Sequence, residues 1–452
     1  MSKIFGTDGI RCLVNEEPLT AETCLKISKS VAFILRKKNN LSSRVVICKD
    51  TRLSGYLYEP LVTAGFISMG MDVILVGPLP TPAVPLMIKT LRADIGVMIT
   101  ASHNTYEYNG LKFFDQNGRK LDKKIEERVE KLVLNKINYE KIINKSILSG
   151  NAIRLKDASG RYSEYLKSSI QKSSKKKKLK IILDCGNGAT YNIAPNLFWE
   201  LGHEVKTINA NPNGRNINKN CGAVDTKQLS KVIIKEKANI GFAFDGDGDR
   251  IIVVDENGLE IDGDKIIALF SKKFIKPKNK SNQIDVIITV MSNMALENYL
   301  SKKLKLQVKR TDVGDINVIN SMRKYKSSLG GEQSGHIILS NFSNTGDGIL
   351  AALKITEIMI SSKLKTSQIF NLYKDFAQEK LNLKYINKNE ILIKTINSLN
   401  KNKLFNNSKL RSLIRLSGTE PLVRILVEGQ NSKLVKQNLI KIKNLIRPHL
   451  AK

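Results

Sequence analysis

Apolar residues along this chain alternate between short unbroken runs and longer stretches spaced for one face of a helix. Over 20–37, Leu25, Ile27, Val31, Ile34 and Leu35 keep helical spacing and predict a first helix. The run Arg44-Val45-Val46-Ile47-Cys48 reads as a strand, Lys49 to Arg52 as a polar loop and 56–68 as a second helix. Strands are expected again over Asp72–Val76 and Ile95–Ile99, separated by the rigid segment Gly77-Pro78-Leu79-Pro80-Thr81-Pro82. Thr81 stands there as the cap of a helix that begins at the proline. The rhythm continues with helices over 161–170, 347–362 and 432–446, and strands over Lys180–Asp184, Ile240–Phe244, Asp285–Val290 and Val423–Val427. Such alternation implies α/β units with largely parallel sheets, which bind ligands at the carboxyl ends of their strands.

With 452 residues the chain exceeds what one hydrophobic core organises. The pattern divides it into 1–155, 156–253, 254–366 and 367–452, with the polar segment 361–368 as a linker. The first three units are rich in βα and similar in size, which suggests structural repetition without a clear sequence repeat. A composition of 41% hydrophobic and 26% charged residues is that of a globular domain protein. No stretch approaches the roughly 20 consecutive apolar residues of a membrane span. The opening MSKIFGTDGIRC lacks the apolar core of a signal peptide. Cys12, Cys24, Cys48, Cys185 and Cys221 are scattered, without CxxC spacing, which suits a reducing cytoplasm and not a disulfide framework.

The net charge of +32 changes the picture least of all. A nucleic-acid binder concentrates such charge on one face, often with aromatic residues interleaved. Here the lysines are spread over almost the whole chain beside abundant Asn and Ile, residues that share A/T-rich codons, so we read the charge as compositional drift. The run over 172–180 is accordingly read as a solvated loop, and no nucleic-acid or membrane partner is expected. The charge still favours anionic, phosphorylated substrates by steering.

Four loops carry the chemistry, and they differ in kind. Thr100-Ala101-Ser102-His103-Asn104 offers a hydroxyl that could accept a phosphoryl group, or simply cap the next segment. His103 is set aside as its partner, because neighbours on an extended segment point oppositely and no acidic third member is apparent. Asp245-Gly246-Asp247-Gly248-Asp249-Arg250 can converge three carboxylates on one hard cation. An EF-hand would match the spacing, with Glu256 at its twelfth position, but Arg250 sits where it needs glycine and the flanks read as strands. A phosphatase using Asp245 as nucleophile stays open from this motif alone. Gly330-Gly331-Glu332-Gln333-Ser334-Gly335-His336 suits sugar hydroxyls or an amino group, with His336 either moving a proton or satisfying a backbone carbonyl. Arg415-Leu416-Ser417-Gly418-Thr419-Glu420-Pro421-Leu422-Val423-Arg424 pairs arginine forks with hydroxyls as a phosphate cradle. Jointly the loops describe phosphoryl transfer on a phosphosugar.

The four loops, with Phe5-Gly6-Thr7-Asp8-Gly9-Ile10-Arg11, Lys49-Asp50-Thr51-Arg52 and Asn109-Gly110-Leu111-Lys112-Phe113-Phe114, resemble the α-D-phosphohexomutase superfamily nearly end to end. Gln333 is similar to the glucosamine branch, since phosphomannomutase and phosphoglucomutase relatives commonly carry methionine there. The resemblance implies three similar mixed-sheet α/β domains and a C-terminal α+β domain around a central cleft. It implies that glucosamine 6-phosphate and glucosamine 1-phosphate are interconverted through phosphorylated Ser102 and a hexose 1,6-bisphosphate, for cell-wall precursor synthesis. Mg²⁺ would be held by Asp245, Asp247, Asp249 and the phosphate on Ser102. Lys112, Arg250 and Arg11 would lie at the reacting phosphate, and Glu332 and Ser334 at the sugar. Arg415, Ser417, Gly418, Thr419 and Arg424 would hold the other phosphate, while His336 and Lys112 would handle protons. Members of this branch are often homodimers.

Two positions depart from the family pattern. Cys12 replaces a glycine, and Thr105 replaces the proline of His-Asn-Pro after the serine. Proline restricts the backbone, so Thr105 is expected to loosen the serine loop and slow turnover.

Overall fold

The computed structural model describes residues 4–6, 8–36, 43–135, 139, 149–170, 178–277, 283–387, 389–417 and 421–450. The rhythm of the sequence becomes four sheets. The first has six strands in the order Ile10–Leu13, Tyr108–Phe114, Ile95–Ile99, Ser43–Lys49, Met71–Pro78 and Ala152–Arg154. The second runs Glu260–Ile261, Ile251–Asp255, Ile240–Phe244, Lys180–Asp184, Glu204–Ile208, and the third Val308–Thr311, Val286–Thr289, Leu329–Gly331, Ile337–Leu339. Strands Ala377–Lys384, Leu422–Gly429 and Leu410–Leu416 form the fourth, wholly antiparallel.

The first three sheets are mixed, with parallel strands joined by helical crossovers and an antiparallel partner added on one side. That partner decides where the chemistry sits. Ile95–Ile99 pairs antiparallel with Tyr108–Phe114, Ile240–Phe244 with Ile251–Asp255, Leu329–Gly331 with Ile337–Leu339, and Leu410–Leu416 with Leu422–Gly429. Each of the four chemistry-bearing loops therefore joins two hydrogen-bonded antiparallel strands, and both of its ends are fixed by one ladder.

Helices form where apolar spacing and caps agree. Ala21–Leu35 starts at Thr20, whose hydroxyl accepts the Thr23 N–H, and Gly348–Ser362 starts at Asp347, which accepts from Leu350. Thr81 does not cap the helix Ala83–Leu91; its hydroxyl is drawn to a stronger acceptor, the Asp247 carboxylate, at 2.6 Å. The expected linker over 361–368 is also largely helical. Thr366–Phe370 is a helix whose Thr366, Ile369 and Phe370 are buried, and the chain crosses to the last sheet after it. Residues 172–177 of the lysine-rich stretch 172–180 lie outside the described residues, and Lys180 opens the strand Lys180–Asp184.

One apolar core runs from Val46 and Ile74 through Phe198 and Phe242 to Phe270, Ile349 and Phe370, binding the first three sheets into one body. The last sheet packs the helices Glu390–Lys401 and Ser432–Ile446 around a separate core that includes Leu392, Ile414, Val435 and Ile442.

Candidate active site

The serine loop turns at Ser102 itself, whose φ of +51° is in the left-handed region. A non-glycine residue there costs about 1 kcal/mol or more, so surrounding contacts must hold it. Arg52 supplies most of them. Its guanidinium, 2% exposed, donates Nε to Asp50 at 2.8 Å and Nη2 to the carbonyls of Ser102 at 3.0 Å and Asn104 at 2.8 Å. Nη1 donates to the carbonyls of Thr105 and Tyr108. Asn218, from the second sheet's region, donates Nδ2 to the Ser102 and Asn104 carbonyls as well, at 2.8 and 2.9 Å. Asp50 accepts from Thr100 at 2.7 Å, and Thr100 in turn accepts the Ser102 N–H at 2.9 Å. Because the chain turns here, His103 is not directed away: its Nδ1 lies 3.4 Å from Ser102 Oγ. Burial, then Arg250 and Arg11, pull its pKa down to about 3, so the imidazole is neutral.

The aspartate loop arrives against this turn. Gly246 is required, since a Cβ there would meet the Ser102 carbonyl at 2.6 Å. Ser102 Oγ donates to Asp245 at 2.8 Å, which makes Asp245 the serine's acceptor. Carboxylate oxygens of Asp245, Asp247 and Asp249 lie within 4.8 Å of one another, all buried. Burial, with Asp249 and Asp247 adding repulsion, pushes the Asp245 carboxyl well up. Burial opposes ionisation of Asp247 too, but Lys112 at 2.9 Å and Thr81 outweigh it and hold that group low. Lys112 is the counterpart: burial would depress its ammonium, yet Asp247, Asp8 at 3.1 Å and Asp249 at 3.4 Å hold it well above its usual range. One oxygen each of Asp247 and Asp249 remains buried without a hydrogen-bond partner. Crowded, partly orphaned carboxylate oxygens of this kind fit a hard divalent cation.

The loop 330–336 joins the aspartate loop through backbone. His336 bridges Arg250, and the Ile251 N–H donates to the Gly335 carbonyl at 3.1 Å. Between them opens a cleft of about 570 Å³ lined by His103, Asp245, Arg250, Glu332, Gln333 and Ser334 among others. Glu332 is fixed by the Gly314 N–H at 3.0 Å. His336 lies behind the lining: neither ring nitrogen has a hydrogen-bond partner, so it satisfies no backbone carbonyl, and Nε2 is 3.9 Å from both Asp249 and Asp315. Arg11 reaches Asn104 at 3.3 Å and Asp8 at 3.5 Å, beside the serine loop.

A second cavity of about 210 Å³ shares Met291 and Lys380 with the first, and Arg415, Arg424 and Asn382 line it. Arg415 and Arg424 are direct cross-strand partners. Like charges so placed repel, and burial followed by Arg424 lowers the Arg415 pKa; an anion between them relieves both. Ser417 donates its N–H to the Leu422 carbonyl at 2.7 Å, and Gly418 and Thr419 lie outside the described residues.

The structure thus gathers Ser102, Lys112, Arg250, Arg11 and the three aspartates at one end, Glu332 and Ser334 in the middle, and Arg415 and Arg424 at the other. Arg52, Asn218 and Asp8 escaped notice as individuals, and Thr81 was read only as a helix cap. Asp8 and Arg52 lay inside motifs already singled out, and a charged residue in such a motif was the available signal. Nothing local marks Asn218, and nothing local ties Thr81 to the aspartate loop.

Models of the family described as phosphoglucomutase/phosphomannomutase match the chain in order: alpha/beta/alpha domain I over 2–140, domain II over 160–258, domain III over 262–376 and the C-terminal domain over 382–441. A phosphoglucosamine mutase from Zymomonas mobilis is 44% identical over 437 residues, 96% of each chain. Among solved structures, a phosphoglucomutase/phosphomannomutase family protein from Burkholderia thailandensis aligns with a TM-score of 0.83 at 23% identity, covering 99% of this chain and 98% of that one. An N-acetylphosphoglucosamine mutase from Aspergillus fumigatus, in complex with GlcNAc-6P and magnesium, aligns at 0.66 and 18% identity over 99% and 96%.

Proposed function

The chain belongs to the phosphoglucomutase/phosphomannomutase family, in its phosphoglucosamine mutase branch, and from that premise we propose how its own residues divide the reaction. It interconverts glucosamine 6-phosphate and glucosamine 1-phosphate. The Ser102 phosphate passes to the free 1-hydroxyl: the Oγ–P bond breaks, the P–O1 bond forms, and the hydroxyl proton leaves. The 1,6-bisphosphate then turns over in the cleft. Its 6-phosphoryl group returns to Ser102 Oγ as the P–O6 bond breaks, O6 takes up a proton in exchange for the one released from the 1-hydroxyl, and glucosamine 1-phosphate departs. The single observation that carries this reading is the Ser102 hydroxyl donating to Asp245 inside a cluster of buried carboxylates.

Asp245, Asp247 and Asp249, with an oxygen of phosphorylated Ser102, would hold Mg²⁺, which supplies neutralisation of charge on the transferred group. Lys112, held as an ammonium, serves the same end with Arg250 and Arg11 as fixed positive charge, and not as a base. His336 does not line the cleft and would move protons only by way of the carboxylates it faces, Asp249 and Asp315. Glu332 and Ser334 would take sugar hydroxyls. Arg415, Arg424, Ser417 and the segment Gly418-Thr419 would hold the phosphate that is not being transferred.

The test is a coupled assay with Mg²⁺ and a catalytic amount of glucose 1,6-bisphosphate, comparing glucosamine 6-phosphate with glucose and mannose 6-phosphates. Ser102→Ala should lose turnover by about four orders of magnitude or more. Full activity in that variant would refute the mechanism.

A further inference from the structure

The cleft carries acidic as well as cationic groups. Arg250 stands at the transfer end, and Lys380, Arg415 and Arg424 at the clamp, and the cleft that Arg250 and Lys380 share is also lined by Glu260, Asp262 and Glu332. A hexose phosphate with a neutral ring answers those carboxylates with hydroxyls alone. An amino-sugar phosphate, anionic at its phosphate and cationic at its amine, matches the whole pattern.

The seat of the sugar loop makes the match specific. The loop lies on the first turn of the helix Gly263–Phe274, where the Gly263 N–H donates to the Gln333 carbonyl at 3.0 Å. A Cβ on Gly263 would stand 2.1 Å from the Glu332 carbonyl, so only glycine admits the loop this closely. Asp262 precedes it and caps the helix, its Oδ1 accepting the Lys265 N–H at 3.2 Å. Its other oxygen accepts Gln333 Nε2 at 3.1 Å. An ionised carboxylate can only accept hydrogen bonds, so Gln333 must turn its amide nitrogen to Asp262 and its carbonyl oxygen away. That oxygen accepts no hydrogen bond among the described residues, and Gln333 lines the cleft.

We propose that Asp262 is a positioning residue for amino-sugar selectivity: it orients Gln333 so that the loop presents a carbonyl oxygen, beside the Glu332 carboxylate, to the protonated amine of the substrate. This rests on the phosphoglucosamine mutase reading. A methionine at 333, or an amide free to flip, offers the amine no fixed acceptor.

The test compares kcat/KM for glucosamine 6-phosphate and glucose 6-phosphate, with Mg²⁺ and glucose 1,6-bisphosphate, in wild type, Asp262→Asn and Gln333→Met. Asparagine keeps an oxygen for the helix cap but can donate as well as accept, which releases the amide of Gln333. The selectivity for glucosamine should fall about tenfold in both variants, through a larger rise in KM for the amino sugar than for glucose. Equal losses on the two substrates, or a ratio kept in either variant, would overturn the proposal. Should Asp262→Asn fold poorly, Asp262→Ser, which keeps a capping oxygen for the helix but gives up the second carboxylate oxygen that holds Gln333, decides in its place. A wild type that treats both sugars equally would instead overturn the phosphoglucosamine reading, and is told apart because no variant is needed to see it.

Discussion

Ser102 and Arg424 serve the two ends of one cleft, yet they are anchored differently. The serine, 1% exposed, is gripped from Arg52 and Asn218 within a body whose apolar core is common to three sheets. The arginine stands half-buried on a three-stranded sheet whose core is its own. That sheet is tied to the rest by polar contacts as well as chain. Arg411 donates to the Val290 and Ser292 carbonyls, Glu428 accepts the Met294 N–H at 3.2 Å, and Asn293 donates to the Phe376 carbonyl at 3.1 Å. Transfer of a phosphoryl group demands fixed geometry, whereas grasping the far phosphate demands only convergent charge. Damage at the first end should therefore appear in kcat, and damage at the second in KM.

The largest effect is expected from Lys112→Met. It leaves Asp8, Asp247 and Asp249 without their shared cation in a buried site, where breaking such a pair costs about 3–5 kcal/mol. Turnover should collapse, the melting temperature should drop, and added Mg²⁺ should restore more of that drop than it adds to wild type. A melting curve equal to that of wild type without Mg²⁺ would show that the aspartates are not held by this charge.

Arg52→Lys comes next. One ammonium cannot reach Asp50 and the carbonyls of Ser102, Asn104, Thr105 and Tyr108 from a single point. We expect kcat to fall roughly 100-fold, as for small misplacements of a reacting group, with KM within about threefold. A KM increase that accounts for the whole loss would erase the distinction between the two ends.

That arginine also marks what the amino-acid order could and could not reveal. The strands before the serine and aspartate loops were legible because unbroken apolar runs such as Ile95–Ile99 and Ile240–Phe244 have one comfortable conformation in a covered sheet. Periodicity said nothing of the antiparallel partners that close each functional loop, because pairing direction leaves no mark on either strand alone. The grip of Arg52 was hidden for the same reason: its acceptors are backbone carbonyls some fifty positions away, and every residue has one. Thr81 misled because a hydroxyl before a helix looks the same whether it caps the helix or serves an aspartate in the next sheet. Setting His103 aside assumed an extended geometry that the left-handed turn at Ser102 does not have.

At the clamp, Arg424→Leu should raise KM for glucosamine 6-phosphate about tenfold while kcat falls less than threefold, on the scale of removing one charge-assisted hydrogen bond to the phosphate. Relief of its repulsion with Arg415 offsets part of any loss of stability, so the melting temperature should stay near that of wild type. Steady-state kinetics at two ionic strengths checks this. A kcat loss as large as that of Arg52→Lys would mean that the last sheet is as tightly built into the transfer step as the serine loop.

The smallest effect belongs to Thr105→Pro, where the family pattern led us to expect a looser loop and slower turnover. The carbonyls of Ser102, Asn104, Thr105 and Tyr108 are already bound by Arg52, with Asn218 on the first two. Proline would restrict a backbone that these donors hold in place, so most of its benefit has no disorder left to remove. We expect kcat to change by less than about twofold, and protease sensitivity of the loop to stay the same. In the Arg52→Lys background the same substitution should recover part of the lost turnover, because there the ring restricts a loop that has lost its grip. A large gain in the otherwise wild-type enzyme would show that Arg52 and Asn218 leave the serine loop loose, and the contrast between the two ends of the cleft would lose its foundation.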